Sequence, residues 1–190
     1  MFVLTSKQEV AYFLGYLITL LIVIFKFRKK LLEDAKNFKN NVKGNVKKII
    51  IVFVVAILLM YLSNVILYTL FGNIASNEES VRDVLFKSPL LMGLSFGLIG
   101  PIIEELCFRY PYRDALLKKE IKFIIYTFIF AFVHIIGDFS VTGLLYIIPY
   151  LFLSISIGYG FYKTDNIYTS MIAHIFNNAF SIIILLAFGG

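Results

Sequence analysis

The sequence is poor in the residues that cross-link chains or ligate metals. It has a single cysteine, Cys107, which excludes an intrachain disulfide and any zinc or iron–sulfur site built from several cysteines. It has only two histidines, His134 and His174, and charged residues make up 16% of its 190 positions. There is no repeat of solenoid period and no low-complexity tract. A single domain is therefore the economical interpretation.

Apolar residues are abundant instead. Hydrophobic residues account for 59% of the chain and aromatic residues for 17%, whereas a soluble domain is typically under half apolar. The composition therefore indicates a protein that crosses the membrane several times. Uncharged apolar runs lie at 10–25, 49–77, 88–103, 123–137, 139–162 and 166–190. Since a helix needs about 20 residues to cross the hydrocarbon core, we expect an all-α polytopic bundle of about six spans.

Positive charge is concentrated in one segment. The net charge is +6, and residues 26–48 contain nine lysines and arginines but only two acidic residues. Because this segment lies between two apolar runs, the positive-inside rule predicts a cytoplasmic loop attracted to anionic headgroups, and no nucleic-acid partner is expected. The basic residues follow the first apolar run instead of preceding it. That run is therefore predicted to be an anchoring span and not a signal peptide.

Two adjacent glutamates and an arginine end the third run, in the stretch IIEELCFRY over 102–110. Glu105 and Arg109 are four positions apart and can form an ion pair on one helix face. Glu104 lies about 100° around the helix, so this pairing leaves it available to face a cavity. The alternative is a purely structural ion pair with no role in chemistry.

The depth of these carboxylates in the bilayer favours a functional site. With the cytoplasmic boundary at Lys118, Glu104 lies 14 positions deeper, roughly 20 Å along a helix. The two histidines lie 12 positions beyond Lys122 and 11 positions beyond Lys163, about 16–18 Å from the same side. All three groups are thus predicted at similar depth, and ionisable residues inside a membrane mark functional sites.

Helix spacing also places a neighbour beside each histidine. Phe130 lies one turn before His134 and can wall its imidazole, and Asn178 lies one turn after His174 on the same face. An imidazole and an amide directed to one point can donate hydrogen bonds to an oxyanion. Alternatively, each histidine satisfies a hydrogen bond between helices and has no further role.

This combination of side chains suits hydrolysis. A desolvated carboxylate such as that of Glu104 can act as general base on water. Histidine can orient that water, or it can ligate a metal. Since two histidines and a carboxylate form many catalytic zinc sites, Glu104, His134 and His174 are also a candidate metal set. The residues leave a zinc-dependent mechanism and a metal-free mechanism open.

The three motifs resemble those of a known family. They occur in order on three successive helix-like segments, as Glu104-Glu105-x-x-x-Arg109, Phe130-x-x-x-His134 and His174-x-x-x-Asn178. They are similar to the motifs of the CPBP family, which includes the type II CAAX prenyl endopeptidases and the bacteriocin-processing or Abi membrane proteins. The motifs span 104–178, and the resemblance covers about residues 45–190.

The resemblance implies an intramembrane endopeptidase that cleaves a peptide or a membrane-associated protein, with a cavity open to the cytoplasm. By position, Glu104 would activate water with His134. His174 and Asn178 would stabilise the oxyanion, and the remaining motif residues, Glu105, Arg109 and Phe130, would support the site. The family is commonly described as metallopeptidase, and a glutamate-dependent mechanism without metal has also been argued.

On this basis we expect a single integral membrane domain over 1–190. It would comprise a first span and basic cytoplasmic loop at 1–44 and a CPBP-like catalytic core at 45–190. An alternative function is a non-catalytic bacteriocin immunity or membrane interaction protein of the same fold. A third possible function is proton-coupled transport by Glu104 and the histidines. The lack of repeat symmetry disfavours it.

Overall fold

The computed structural model of the chain describes residues 6–189, which are helical apart from short connections. The helices are α1 (Ser6–Val42), α2 (Val46–Phe71), α3 (Ser76–Lys87), α4 (Pro89–Leu94), α5 (Gly100–Asp114), α6 (Lys119–Val133), α7 (Val141–Leu145), α8 (Ile147–Thr164) and α9 (Ile167–Phe188). A π-helical turn, Ser95–Ile99, joins α4 to α5. Residues 6–189 contain no strand, so the prediction of an all-α bundle is confirmed.

Five helical stretches are long and apolar enough to cross a membrane, namely Lys7–Val42, Val46–Phe71, Pro89–Asp114, Val141–Thr164 and Ile167–Phe188. The apolar run at 123–137 also forms a helix, α6, but its 15 residues give a length of only about 22 Å. A helix of that length is shorter than a hydrocarbon core of about 30 Å. The described part of the chain therefore has five full spans and one shorter apolar helix beside them.

The centre of the bundle is formed by α5 and α8. In the spans that contain them, 44% of the most apolar stretch is buried, compared with 6% for α1 and 11% for α2 and α9. Helix α8 packs against α2, α6 and α9, while α5 packs against α9 and α1. The outer helices expose many large apolar side chains, which lipid covers in a protein that crosses the membrane several times.

The basic segment after the first span is helical. Helix α1 continues without a break to Val42, so the prediction of a loop over 26–48 is wrong in its secondary structure. The eight lysines, one arginine and two leucines of this segment are good helix formers. No glycine interrupts it before Gly44, which adopts a left-handed φ of 94° in the turn before α2. The cytoplasmic location of the segment and the division after residue 44 remain predictions.

The extension of α1 carries a buried acid, Asp34. Its carboxylate accepts hydrogen bonds from both terminal nitrogens of Arg113 on α5, at 3.2 and 3.0 Å, and from the backbone N–H of Ile167 on α9, at 3.1 Å. The side chain of Asn166 donates to the backbone carbonyl of Asp34 at 2.7 Å. These bonds fasten α1 to the ends of α5 and α9, and no local pattern in the sequence predicts them.

Candidate active site

The predicted site residues come from three places in the bundle. Glu104, Glu105 and Arg109 lie on α5, Phe130 and His134 lie at the end of α6, and His174 and Asn178 lie on α9. Contacts between side chains join six of the seven into one cluster. Asn178 lies one turn along α9 from His174 and contacts the π turn instead.

Glu105 is the most fully bonded member of the cluster. One carboxylate oxygen accepts a hydrogen bond from Nε of Arg109 at 2.9 Å, and the other lies 3.1 Å from Nδ1 of His174. All three residues are at most 2% exposed. The predicted ion pair between Glu105 and Arg109 is therefore present, and the sequence reasoning missed the contact with His174. Because an ionised carboxylate can only accept, Nδ1 of His174 carries the hydrogen in this arrangement.

Glu104 is held much more loosely. Its side chain is 37% exposed, and Oε2 lies 3.8 Å from Nε2 of His174, which is too long for a hydrogen bond. That oxygen is buried and has no hydrogen-bond partner among residues 6–189. The two adjacent glutamates thus differ as the helix geometry predicts: Glu105 is paired, and Glu104 keeps an oxygen available for another molecule.

His134 lies immediately after α6, and its imidazole is enclosed by aromatic rings. Its centroid is 4.5 Å from the ring of Phe130 and 4.8 Å from the ring of Tyr150. Nδ1 lies 2.8 Å from the backbone carbonyl of Phe130. A carbonyl accepts only, so a neutral His134 carries its hydrogen on Nδ1 and keeps Nε2 as an acceptor. Electrostatic interactions link this ring to Glu104 and His174.

Phe130 connects the two histidines. Its side chain is fully buried, with its centroid 4.5 Å from that of His134 and 5.7 Å from that of His174. The Arg109 guanidinium lies 6.0 Å from the same centroid, at the outer range of a cation–π contact. One ring therefore sets the spacing between side chains that come from three helices.

Asn178 is anchored to the π turn. Its Nδ2 donates to the backbone carbonyl of Phe96 at 3.1 Å, while its Oδ1 accepts from Nδ2 of Asn177 at 3.1 Å. An amide nitrogen has two hydrogens, so one remains for a further acceptor. The role predicted for Asn178 at an oxyanion is compatible with these bonds and stays a prediction.

The predicted metal ligands do not converge. Within residues 6–189, no group of three histidine, cysteine or acidic side chains is placed to hold a metal ion. Nδ1 of His174 is occupied by Glu105, and Nδ1 of His134 is occupied by the Phe130 carbonyl. The residues as arranged do not fit a zinc ion, so the scheme proposed below has no step through a metal. Zinc dependence stays a prediction.

Several supporting residues could not be found from local patterns. Tyr150 covers His134 from α8, and Phe96 supplies the carbonyl that holds Asn178. Gly158 on α8 makes room for Arg109, because a Cβ there would lie 3.3 Å from both terminal guanidinium nitrogens. In the sequence these three residues belong to uncharged apolar runs without any distinguishing mark.

Comparison with known proteins gives two related proteins of bacteria. The UPF0177 protein YxdF of Lactococcus lactis subsp. lactis is 33% identical over 107 residues, which are 55% of this chain and 56% of YxdF. YdiL of Bacillus subtilis, named as a candidate membrane peptidase, is 25% identical over 179 residues, which are 92% of this chain and 69% of YdiL. The chain thus spans little more than half of the first relative. No solved structure matches it.

A family model described as type II CAAX prenyl endopeptidase Rce1-like matches residues 86–180. That region is half of the chain and contains all seven motif residues, from Glu104 to Asn178. The match confirms the resemblance to the CAAX endopeptidases that the three motifs predict. Together with the five apolar spans, it makes this chain a multi-pass membrane protein that belongs to the Rce1-like type II CAAX prenyl endopeptidase family.

Proposed function

We propose that the chain is an intramembrane endopeptidase in which Glu104 activates a water molecule for attack on a peptide bond. The observation that carries this proposal is the contrast between two adjacent carboxylates. Glu105 is fully buried and bonded to Arg109 and His174, whereas Glu104 is partly exposed and has a buried oxygen with no hydrogen-bond partner in residues 6–189. A carboxylate in that state can take a proton from water.

The attack step uses Glu104 and His134. Glu104 accepts a proton from water while the water oxygen bonds to the carbonyl carbon of the substrate. His134 orients the same water by accepting a hydrogen bond at Nε2, since its Nδ1 faces the Phe130 carbonyl. The tetrahedral intermediate then expels the amine, and Glu104 returns the proton to the leaving nitrogen.

The oxyanion of the intermediate is assigned to His174 and Asn178. The bond from Nδ1 of His174 to Glu105 fixes the ring so that Nε2 lies on the Glu104 side. When it carries a proton, Nε2 can donate to the oxyanion, and the second N–H of Asn178 can do the same. Arg109 keeps Glu105 ionised and in place, so that it holds His174.

The proposed substrate is a peptide or a membrane-associated protein, reached from the cytoplasmic side. The family supports a peptide bond as the target, and the name of YdiL supports a membrane peptidase. A zinc-dependent reaction is the competing scheme. Zinc that co-purifies with the chain and restores activity after chelation would replace the metal-free scheme.

The test uses the full chain, purified and reconstituted in liposomes, with internally quenched peptides in matched forms with and without a C-terminal prenyl group. We expect Glu104→Gln to abolish cleavage and His134→Ala to lower kcat by about 100-fold or more. Glu78→Gln on α3 is the control, because Glu78 pairs with Arg82 outside the site. Cleavage that survives both site substitutions would refute the roles of Glu104 and His134, whereas failure of the unsubstituted chain to cleave any peptide would refute the peptidase and favour a binding role for the fold.

A further inference from the structure

Helix α1 reaches the candidate active site through Tyr16. The Tyr16 ring meets Phe96 of the π turn edge-on, with centroids 6.1 Å apart. Its Cε1 lies 3.4 Å from the point that a Cβ on Gly100 would occupy, and Oε1 of Glu104 lies 3.8 Å from the same point. Because Gly100 has no Cβ, a space remains between α1 and α5. The Tyr16 ring borders this space from α1, and the Glu104 carboxylate borders it from α5.

The two oxygens of Glu104 consequently have different surroundings. Oε2 is on the side of His174, 3.8 Å from Nε2, and has no hydrogen-bond partner in residues 6–189. Oε1 is on the side of Gly100 and Tyr16. Tyr16 also interacts electrostatically with Glu104. A group on the Oε1 side can therefore set the rotation of the carboxylate without touching the histidines.

We propose that Tyr16 is a positioning residue for Glu104. The two side chains flank Gly100 without a direct hydrogen bond, and the phenol O–H donates to a bridging water that donates to Oε1. This link directs Oε2 toward His174 and the attacking water. A phenol hydroxyl beside hydrocarbon needs an acceptor, and a water held by an ionised carboxylate is a strong one. The inference rests on the proposed function and extends it to α1, which lies outside residues 86–180 that the family model matches.

Other titratable groups around Glu104 lie on different sides. His174 faces it from α9, His134 acts on it from the end of α6, and Cys107 lies one turn along α5. Tyr12 neighbours Tyr16 on α1, with ring centroids 5.6 Å apart. Removing only the Tyr16 hydroxyl therefore changes the Oε1 side and leaves the histidine side intact.

The experiment compares Tyr16→Phe with Tyr12→Phe in the reconstituted full chain. Phenylalanine keeps the ring that packs on Phe96, so the fold is retained. We expect Tyr16→Phe to lower kcat by about tenfold, the equivalent of one hydrogen bond to a charged group, with KM unchanged. Tyr12→Phe should match the unsubstituted chain.

A second readout does not depend on any substrate. The infrared difference spectrum between the unsubstituted chain and Glu104→Gln, recorded in lipid bilayers, assigns the carboxyl stretch of Glu104. We expect the frequency of that band to shift in Tyr16→Phe, because the surroundings of Oε1 change, and to stay constant in Tyr12→Phe. An unchanged frequency or an unchanged kcat in Tyr16→Phe would overturn the role of Tyr16. If no peptide is cleaved by the unsubstituted chain, the peptidase proposal fails while the infrared spectrum still decides whether Tyr16 acts on Glu104.

Discussion

Two arginines one turn apart on α5 hold their carboxylates in different ways. Arg109 donates to Glu105 on its own helix at 2.9 Å, and both side chains are at most 2% exposed. Arg113 donates to Asp34 of α1 at 3.0 Å and to Asp165 at 3.2 Å, and its side chain is 21% exposed. The first pair can form as soon as α5 is helical. The second forms only when α1, α5 and the α8–α9 connection have come together.

The two ion pairs therefore have different roles. One positions the side chains of the candidate site, and the other places α1 beside them. The pair of Arg109 and Glu105 fixes His174 from within the bundle. The pair of Arg113 and Asp34 fastens α1 to the end of α5. The N-terminal half of α1, with Tyr16, lies beside Gly100 and Glu104. A local ion pair therefore organises the chemistry, and a long-range ion pair places the helix that borders it.

The largest effect is expected from Arg109→Met. It leaves Glu105 buried without its cation and should lower the free energy of unfolding by about 3–5 kcal/mol, measured by denaturation in detergent micelles. Arg82→Met is the matched control, because Arg82 and Glu78 have the same spacing but are 38% and 40% exposed. There we expect about 0–1 kcal/mol. Equal losses in the two variants would show that burial does not distinguish the pairs.

Asp34→Asn should have the next largest effect. It keeps the shape of the side chain but removes the charge that Arg113 binds, and we expect a loss of about 2 kcal/mol in the free energy of unfolding. Asp114→Asn serves as control, since Asp114 pairs with Lys30 at 2.6 Å while 61% exposed, and should lose less than about 1 kcal/mol. A loss no larger than that of the control would mean that α1 is fastened mainly by apolar packing.

A smaller loss is expected from Gly158→Ala. The new methyl group would lie 3.3 Å from both terminal nitrogens of Arg109, so the guanidinium must shift by a few tenths of an ångström. Overpacking of this kind outweighs the gain in helix propensity, and we expect a net loss of about 1 kcal/mol. Gly15→Ala on α1, with nothing within 4 Å, should instead gain up to about 1 kcal/mol. Thermal unfolding of both variants measures the contrast.

The smallest change in stability is expected from Glu104→Gln, although it should abolish cleavage. Oε2 of Glu104 has no hydrogen-bond partner in the described residues, so the free energy of unfolding should stay within about 0.5 kcal/mol. Glu105→Gln, which weakens the bonds to Arg109 and His174, should lose about 2 kcal/mol. If Glu104→Gln were the more destabilising of the two, the assignment of the adjacent glutamates would be reversed.

The helix period predicts part of the candidate site from the sequence. Residues four positions apart share a helix face, so the pairing of Glu105 with Arg109 and the stacking of Phe130 on His134 follow from spacing alone. The same rule leaves Glu104 out of that pair, and its Oε2 has no hydrogen-bond partner among the described residues. Contacts between helices do not follow from this rule. His174 lies 69 positions from Glu105, and nothing in either motif indicates that they bond.

The basic segment of α1 shows a different limit. Its charge pattern predicts a side of the membrane, but it carries little information about secondary structure because the same lysines and arginines suit a loop or a helix. Helix formation through Val42 turns one acid, Asp34, toward Arg113, 79 positions away. The sequence also shows six apolar runs, whereas the structure has five full spans among the residues it describes. The run at 123–137 forms α6, which differs from the full spans only in its length of 15 residues.

By itself the sequence determined that this chain is a helical membrane protein, that it carries three motifs in order, and that one glutamate of two is paired. Composition and a period of 3.6 residues are sufficient for these, because each depends on neighbours in the chain. Only the tertiary structure decided that Glu105 also holds His174, that His134 is enclosed by Phe130 and Tyr150, and that Tyr16 borders Glu104. These contacts join residues from different helices, so they depend on how the helices pack.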